Sequence, residues 1–414
     1  VHHPRSEWGA LLANWKQLDN QPATDALIPA LVEKVYKNGD LTVNDSRHQW
    51  RLKKPKWHWK PLRQYKKEGV GKAELAILKQ RRRTWIVGDE IRLQGLPKSG
   101  VRLAQDPSIE SALFAIDLER GTLLAQVGGF DYQIAGFDRV HQAMRQPGSA
   151  FKPLLYTSAL ARGMTPASII MDTPVVFDSN QSDGFWRPEN YKNKFAGPVT
   201  LRNALEHSRN LASIKVLQNV GIHHFLNDLT NFPLGRKFPA QLALALGATE
   251  VSLQSLTQSY AVLADHGRKW KPVVIQQVQD RTGKTLHRAV AGQRCQVCHV
   301  DPVMSINESM RPAEQVIDPV DAFLITNMMK GVIEHGTGRR ALKLRRPAAG
   351  KTGTTNKQVD AWFLGFTPQV LTGVWTGRDT PTPMGRRETG ARAALPTWLE
   401  AMQAFHKHKP VKDF

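Results

Sequence analysis

The stretch SALFAIDLERGTLLAQVGGFD, Ser111 to Asp131, holds two apolar runs on either side of a turn signal at Glu119 to Gly121. Short apolar runs bounded in this way predict a β-hairpin laid against a core. Downstream, residues 151–163, 199–220, 251–266 and 320–336 repeat apolar positions every three and four, the period of helices. Strand-like runs return in VVIQQVQD, AAGKTGT, DAWFLGFTP and VLTGVWTG, before a last helix in PTWLEAMQAFHK. Strands at both ends with helices between them predict an α+β domain over 104–414, in which helices flank one antiparallel sheet assembled from distant parts of the chain.

Upstream the texture differs. Residues 1–30 read as a linker with one short amphipathic helix around Trp8 to Leu18, ended by DNQPATD. LVEKVYKNGDLTV, RHQWRL and RTWIVGDEIRLQG are rich in β-branched and aromatic residues and are parted by turn signals such as Asn38-Gly39-Asp40. They predict a small all-β, OB-like barrel domain over 31–103, with one helix in AELAILKQRRR.

The 414 residues are 41% apolar and 22% charged, a globular composition that excludes a disordered or fibrous chain. Lys and Arg outnumber Asp and Glu 57 to 36, for a net charge of +21, so the partners of this chain are expected to be anionic. Residues 51–102 alone hold 16 Lys/Arg against 4 Asp/Glu. There, Trp57, Trp59 and Tyr65 are interleaved with Lys53, Lys54, Lys56, Lys60, Arg63, Lys66 and Lys67. That pattern suits stacking on single-stranded nucleic acid, or contact with anionic lipid, cell-wall polymer or an acidic protein, or a solvated charged face. No apolar run reaches the roughly 18 residues of a membrane span, and Val1 is not an initiator Met, which points to a fragment or mature form. The two cysteines, Cys295 and Cys298 in CQVCH, fit a short disulfide, a free dithiol or a c-type haem attachment site. The histidine pairs His2-His3, His223-His224 and His406 with His408 lack partners at metal spacing and read as surface residues.

Three short clusters carry chemistry. In Gln146-Pro147-Gly148-Ser149-Ala150-Phe151-Lys152-Pro153, Ser149 and Lys152 lie three apart on one helical face, so a lysine amine of lowered pKa can take the serine proton. Pro153 confines the pair to a first helical turn, where free backbone N–H groups can hold an oxyanion. Ser208-Arg209-Asn210 precedes an apolar helix; alone it reads as an N-cap, and beside a nucleophile it supplies a proton-relaying hydroxyl and a carboxamide that grips a peptide. Lys351-Thr352-Gly353-Thr354-Thr355 suits an edge strand, whose glycine admits a ligand backbone while the lysine and hydroxyls bind a carboxylate.

The order SxxK, SxN, KTG is the motif set of penicillin-binding proteins and serine β-lactamases. Together with GFDRVHQAMRQPGSAFKPLLYTSAL, FWRPENY, GPVTLRNALEHSRNLASIKVL, LALGATEVSLQ, GTGRRALK and AGKTGTTNKQVDAWFLGFTP, it makes residues 106–400 resemble the transpeptidase part of class A penicillin-binding proteins. The resemblance implies a bacterial D,D-transpeptidase that cross-links peptidoglycan stem peptides on the periplasmic face of the cytoplasmic membrane. It implies Ser149 as nucleophile, Lys152 as its base, and Ser208 with Lys351 as the proton path to the leaving group. Asn210, Thr352, Gly353 and Thr354 are then substrate-binding, with the N–H groups of Ser149 and Thr354 as the oxyanion hole. No cofactor or metal is implied, and the extracytoplasmic setting argues against nucleic acid. The implied partners are stem peptides and lipid-linked precursor, β-lactam antibiotics, and wall-synthesis or activator proteins. Glycosyltransferase activity and a membrane anchor are expected only of an N-terminal part outside this chain.

A serine β-lactamase shares the clusters but needs a second base for water. Glu250, Glu308, Glu314 and Glu334 lie between SxN and KTG without the ExxLN setting of that base. A D,D-carboxypeptidase and a non-catalytic β-lactam sensor also fit the three clusters. Trp186 and Tyr191 are candidates to wall a substrate groove, while Trp362 and Trp375 suit a core or cleft lining.

Overall fold

The computed structural model describes residues 3–18, 27–38, 40–53, 90–96, 100–104, 107–131, 136–178, 185–191, 194–288 and 313–414. Cys295, Cys298, the expected helix at 73–83 and the basic, aromatic insert beyond Lys53 lie outside them. The chain forms two units, Val1–Ser108 and Ile109–Phe414.

The first unit contains helix α1 (Trp8–Leu18), where the sequence places it, and strands β1 (Leu27–Val35), β2 (Leu41–Asn44), β3 (Gln49–Leu52), β4 (Glu90–Leu96) and β5 (Gly100–Ala104). They form one sheet in the order β3-β2-β1-β4-β5, and the edge strands β3 and β5 approach each other. Joining those edges gives the circuit 1-2-3-5-4, a five-stranded barrel of the expected OB-like kind. Ala30, Val32, Leu41, Val43, Leu52, Ile91 and Leu93 fill its inside. β1 starts at Leu27, within the segment read as linker, because its first residues pair with β4: Leu27 lies opposite Gln94 and Ala30 opposite Ile91.

The second unit is built on a five-stranded antiparallel sheet in the order β16-β17-β18-β6-β7, from β6 (Glu110–Asp117), β7 (Thr122–Val127), β16 (Ala349–Thr354), β17 (Asp360–Phe366) and β18 (Val370–Gly377). The hairpin at Ser111 to Asp131 thus joins the late strands directly, with Ser111 opposite Thr376 and Asp117 opposite Val370. Alternate residues feed two cores. Phe114, Ile116, Leu364 and Trp375 pack beneath helices α2 (Lys152–Leu160), α4 (Asn210–Val220), α6 (Leu253–Ala264) and α7 (Pro319–Glu334), whereas Leu113, Ala115, Phe363 and Val374 meet α8 (Leu395–Phe405). Burial on both faces explains why β17 and β18 are buried at every position rather than alternating. Trp362 and Trp375 are core residues, each 1% exposed.

Several expectations need correction. VVIQQVQD joins the main sheet at one residue only, Val273, which bridges Thr122 of the edge strand β7 in parallel; its later part forms β13 (Gln277–Gln279), which pairs with β14 (Thr285–Arg288) in a separate, exposed hairpin. Three further small pairs complete the strands: β8 (Ile169–Asp172) with β11 (Gly197–Thr200), β9 (Phe177–Asp178) with β10 (Phe185–Trp186), and β12 (Arg268–Lys269) with β15 (Glu314–Gln315). Residues 199–220 are not one helix: α3 (Leu201–Glu206) ends before α4 begins, and α5 (Ile222–Asp228) follows. Helix α2 has no solvent face at all, since Lys152 to Leu160 are all buried. His406 is not a surface residue; it is 3% exposed, bonded through Nδ1 to the Met402 carbonyl at 2.8 Å and through Nε2 to Thr367 Oγ1 at 3.0 Å. Burial lowers its pKa, which favours the neutral ring.

Candidate active site

The site lies where the start of α2, the break between α3 and α4, and the edge strand β16 meet. Gly148–Phe151 forms a single 3₁₀ turn that runs straight into α2, with Pro153 in the first helical turn, where its missing N–H costs no bond. Three contacts seat the turn: the Tyr260 hydroxyl donates to the Ala150 carbonyl at 2.7 Å, Trp362 Nε1 donates to the Gln146 carbonyl at 2.8 Å, and Arg145 Nε donates to Asp360 Oδ1 at 2.8 Å. Asp360 Oδ1 also accepts from Trp375 Nε1 at 2.9 Å, so the strand after KTGTT and the residues before Ser149 share one carboxylate.

Ser208 has φ of 56°, and Arg209, not Ser208, is the N-cap position of α4. The capping is done from elsewhere: Asn190 Oδ1 accepts from the N–H groups of Asn210 and Leu211 at 2.8 and 3.3 Å. Relieved of that duty, the Ser208 hydroxyl faces the two lysines. Lys351 Nζ donates to Ser208 Oγ at 2.9 Å and Lys152 Nζ to the same oxygen at 3.4 Å. A hydroxyl has two lone pairs and one hydrogen, so while both lysines donate to it the hydrogen is left to point into the site. Lys152 Nζ also donates to the Ser208 carbonyl at 2.9 Å and to Asn210 Oδ1 at 2.8 Å. Among the described residues no hydrogen bond joins Lys152 to Ser149, a looseness common in unliganded sites.

Burial divides the roles. Lys152 and Lys351 are both 0% exposed, whereas Ser149, Ser208, Asn210 and Thr354 are half-buried and line the surface in front of them. Burial pulls the Lys152 pKa well below its ordinary value; the neighbouring Lys351 charge adds to this and Asp172 opposes it. Burial also brings Lys351 down to about 7. Both shifts favour the neutral amine.

On β16 the side chains sort by strand alternation. The Thr352 hydroxyl lies 2.7 Å from that of Thr337, and Thr354 Oγ1 accepts from the Gly390 N–H at 3.0 Å. Gly353 is required for a different reason than the sequence suggests: a Cβ there would lie 2.4 Å from the Pro147 carbonyl oxygen and 2.9 Å from Trp362 Cβ. It admits the turn that carries Ser149.

All eight residues expected at the site therefore come together around one surface. Asn190, Asp172, Thr337, Tyr260 and Asp360 were not singled out by sequence reasoning; FWRPENY, GTGRRALK and AGKTGTTNKQVDAWFLGFTP held three of them, Asn190, Thr337 and Asp360, only as parts of a family pattern. Trp186 stacks on Phe177, with centroids 5.4 Å apart, and packs against the core, while Tyr191 is 65% exposed.

A sheet of this order, with helices on both faces and a serine before two buried lysines, defines an active-site-serine enzyme of the penicillin-recognising class. Residues 112–379 match the family described as penicillin-binding protein transpeptidase domain. The chain is 35% identical to penicillin-binding protein 1A of Pseudomonas aeruginosa, over 96% of its own length and 52% of that relative's. It is 36% identical to penicillin-binding protein 1A of Rickettsia conorii, over 79% of its length and 42% of the relative's. The chain thus spans about half the length of the curated relatives it matches. The crystal structure of penicillin-binding protein 1A from Haemophilus influenzae superposes with a TM-score of 0.81 at 27% identity, covering 100% of this chain and 61% of that one. The chain belongs to the penicillin-binding protein transpeptidase family. Among the described residues no helix is long and apolar enough to cross a membrane.

Proposed function

We propose that this chain is the D,D-transpeptidase part of a class A, bifunctional peptidoglycan synthase. The observation that carries this reading is the convergence of Lys152 and Lys351 on the Ser208 hydroxyl, at 3.4 and 2.9 Å. Neutral Lys152 has two N–H bonds and one lone pair. With the Ser208 carbonyl and Asn210 Oδ1 taking those hydrogens, the long 3.4 Å contact to Ser208 Oγ, made by the protonated amine, is given up, and the lone pair is left to accept the Ser149 proton.

Ser149 Oγ then attacks the penultimate D-Ala carbonyl of a stem peptide, with the oxyanion held by the N–H groups of Ser149 and Thr354. The C–N bond to the terminal D-Ala breaks, and the departing amine takes the Ser208 hydroxyl proton, which Lys351 replaces. Thr352 and Thr354 hold the terminal carboxylate in front of Lys351, and Asn210 Nδ2, turned toward the Glu189 carbonyl at 2.9 Å, exchanges that contact for the donor peptide. Gly353 serves by letting the nucleophile turn approach the strand. The amine of a second stem attacks the acyl-enzyme and restores Ser149. A β-lactam imitates the D-Ala-D-Ala end and leaves an ester whose tethered leaving group does not depart. The lipid-linked precursor, membrane anchoring, a periplasmic setting and contacts with activator proteins belong to the same proposal for the longer protein.

Incubating the chain with a pentapeptide substrate and an acceptor amine, and measuring released D-Ala beside amide product, tests this. Equal release and product define a transpeptidase, and release without product a carboxypeptidase. Neither, in a chain that folds, would reject the reading.

A further inference from the structure

The Asn210 carboxamide and the Lys152 amine are the two groups of the helical half that need exact placement, and neither is held by its own element alone. Asn210 starts α4, and the backbone N–H groups of Asn210 and Leu211 are capped by Asn190 Oδ1. Asn190 is 7% exposed, and its amide nitrogen is fixed in turn by Asp172 Oδ1 at 2.8 Å and by the Lys194 carbonyl at 2.9 Å. All four hydrogen-bonding positions of that side chain are filled, so it cannot rotate without loss. Asp172 is 0% exposed; its Oδ2 accepts from the Ala196 N–H at 3.1 Å and pairs with Arg209 Nη1 at 3.4 Å. A buried carboxylate is costly unless its partners are complete, and these partners all lead toward the site.

We propose that Asp172, acting through Asn190, is the positioning residue that sets both the orientation of the Asn210 carboxamide and the charge state of Lys152. This rests on the transpeptidase reading, in which Lys152 is the base. The charged groups that act on Lys152 are Lys351 on β16 and Asp172 on β8, with Tyr156 one turn along α2 and Arg209, ahead of α4, reaching it through its pairing with Asp172. Lys351 and Asp172 act on it with opposite sign, and burial keeps Tyr156 protonated. Arg209 pairs with Asp172 and offsets part of its field.

The two substitutions around this carboxylate have opposite electrostatic signs. Asp172→Asn removes the negative charge and turns a donor toward the Ala196 N–H and Arg209, so Lys152 loses its proton at lower pH and its placement loosens. Arg209→Gln removes the positive charge, so Lys152 keeps its proton to higher pH.

The test is the pH–rate profile for acylation by a fluorescent penicillin, measured on the full chain across roughly pH 5 to 10. Asp172→Asn is expected to lower the plateau about 10- to 100-fold and to move the acid limb down by about one pH unit. Arg209→Gln is expected to move that limb up. Limbs that stay put, or that move the same way in both variants, would overturn the proposal, because a merely structural loosening has no sign. If Asp172→Asn does not fold, the limb of Arg209→Gln decides alone. A wild-type chain that is not acylated at all would instead reject the transpeptidase reading.

Discussion

The helical half of the site, Ser149 to Lys152 with residues 208–210, and its strand half, residues 351–354, are held by different forces. The helical half hangs on side chains: Asn190 caps α4, Tyr260 grips the Ala150 carbonyl, and Lys152 is bonded to three acceptors. The strand half hangs on a backbone ladder, with Lys351 opposite Leu364 and Thr354 opposite Ala361, and on apolar packing behind it. Among the described residues Lys351 has only Ser208 Oγ and the Thr352 carbonyl as hydrogen-bond partners. It follows that polar substitutions of the same shape should damage the helical half, while the strand half should tolerate them structurally and fail only in chemistry.

The sharpest break in that contrast comes from Lys152→Ala. Loss of the proposed base is expected to reduce acylation by a penicillin at least about 1,000-fold in a stopped-flow assay. It should also destabilise the fold, since the Ser208 carbonyl and Asn210 Oδ1 lose their donor.

Lys351→Met should behave differently. Acylation falls by about 100-fold, yet stability rises. The folded-state pKa of Lys351 is about 7, against 10.5 ordinarily. Between those values the unfolded chain carries a proton the folded chain lacks, so the wild-type protein gains stability with rising pH across that window. Below pH 7 it bears the full cost of a buried charge. Methionine removes that cost, so the gain is largest below pH 7 and disappears above 10.5. An increase on the order of 1 to 3 kcal/mol is expected, less than the whole shift implies because two hydrogen bonds go as well. Thermal unfolding at acid and alkaline pH checks it.

A smaller effect is expected from Thr352→Val, which leaves the Thr337 hydroxyl without its 2.7 Å partner and removes the contact proposed for the ligand carboxylate. Acylation by a carboxylated β-lactam should fall about tenfold, with about 1 kcal/mol of stability lost. Smallest is Trp362→Phe, which cuts the 2.8 Å bond to the Gln146 carbonyl where the two halves join. About 1 kcal/mol of stability should go, with acylation changed only severalfold.

Much of this was legible in the chain because it is local. A turn signal between two apolar runs gives β6 and β7, and Pro153 after SxxK gives the start of α2. What could not be read depends on partners far along the sequence. VVIQQVQD has strand composition throughout, but nothing in it says that only Val273 bridges the edge strand β7 while Gln277–Gln279 turns away to pair with β14. Ser208 looks like an N-cap until Asn190, from a separate loop, takes that duty. Gly353 suggests an open approach for a ligand, and the Pro147 carbonyl occupies that approach. His406 reads as surface because Thr367, its partner, is 39 residues away.

Everything above turns on Ser149, served by two buried lysines, forming an acyl-enzyme that persists. Intact-protein mass spectrometry after exposure to a penicillin, followed over hours and run beside Ser149→Ala, puts that to the test. One stable adduct is expected, absent from the alanine variant, whose thermal transition stays near wild type. An adduct of equal yield on Ser149→Ala, or rapid loss of the adduct with steady consumption of the drug, would refute it.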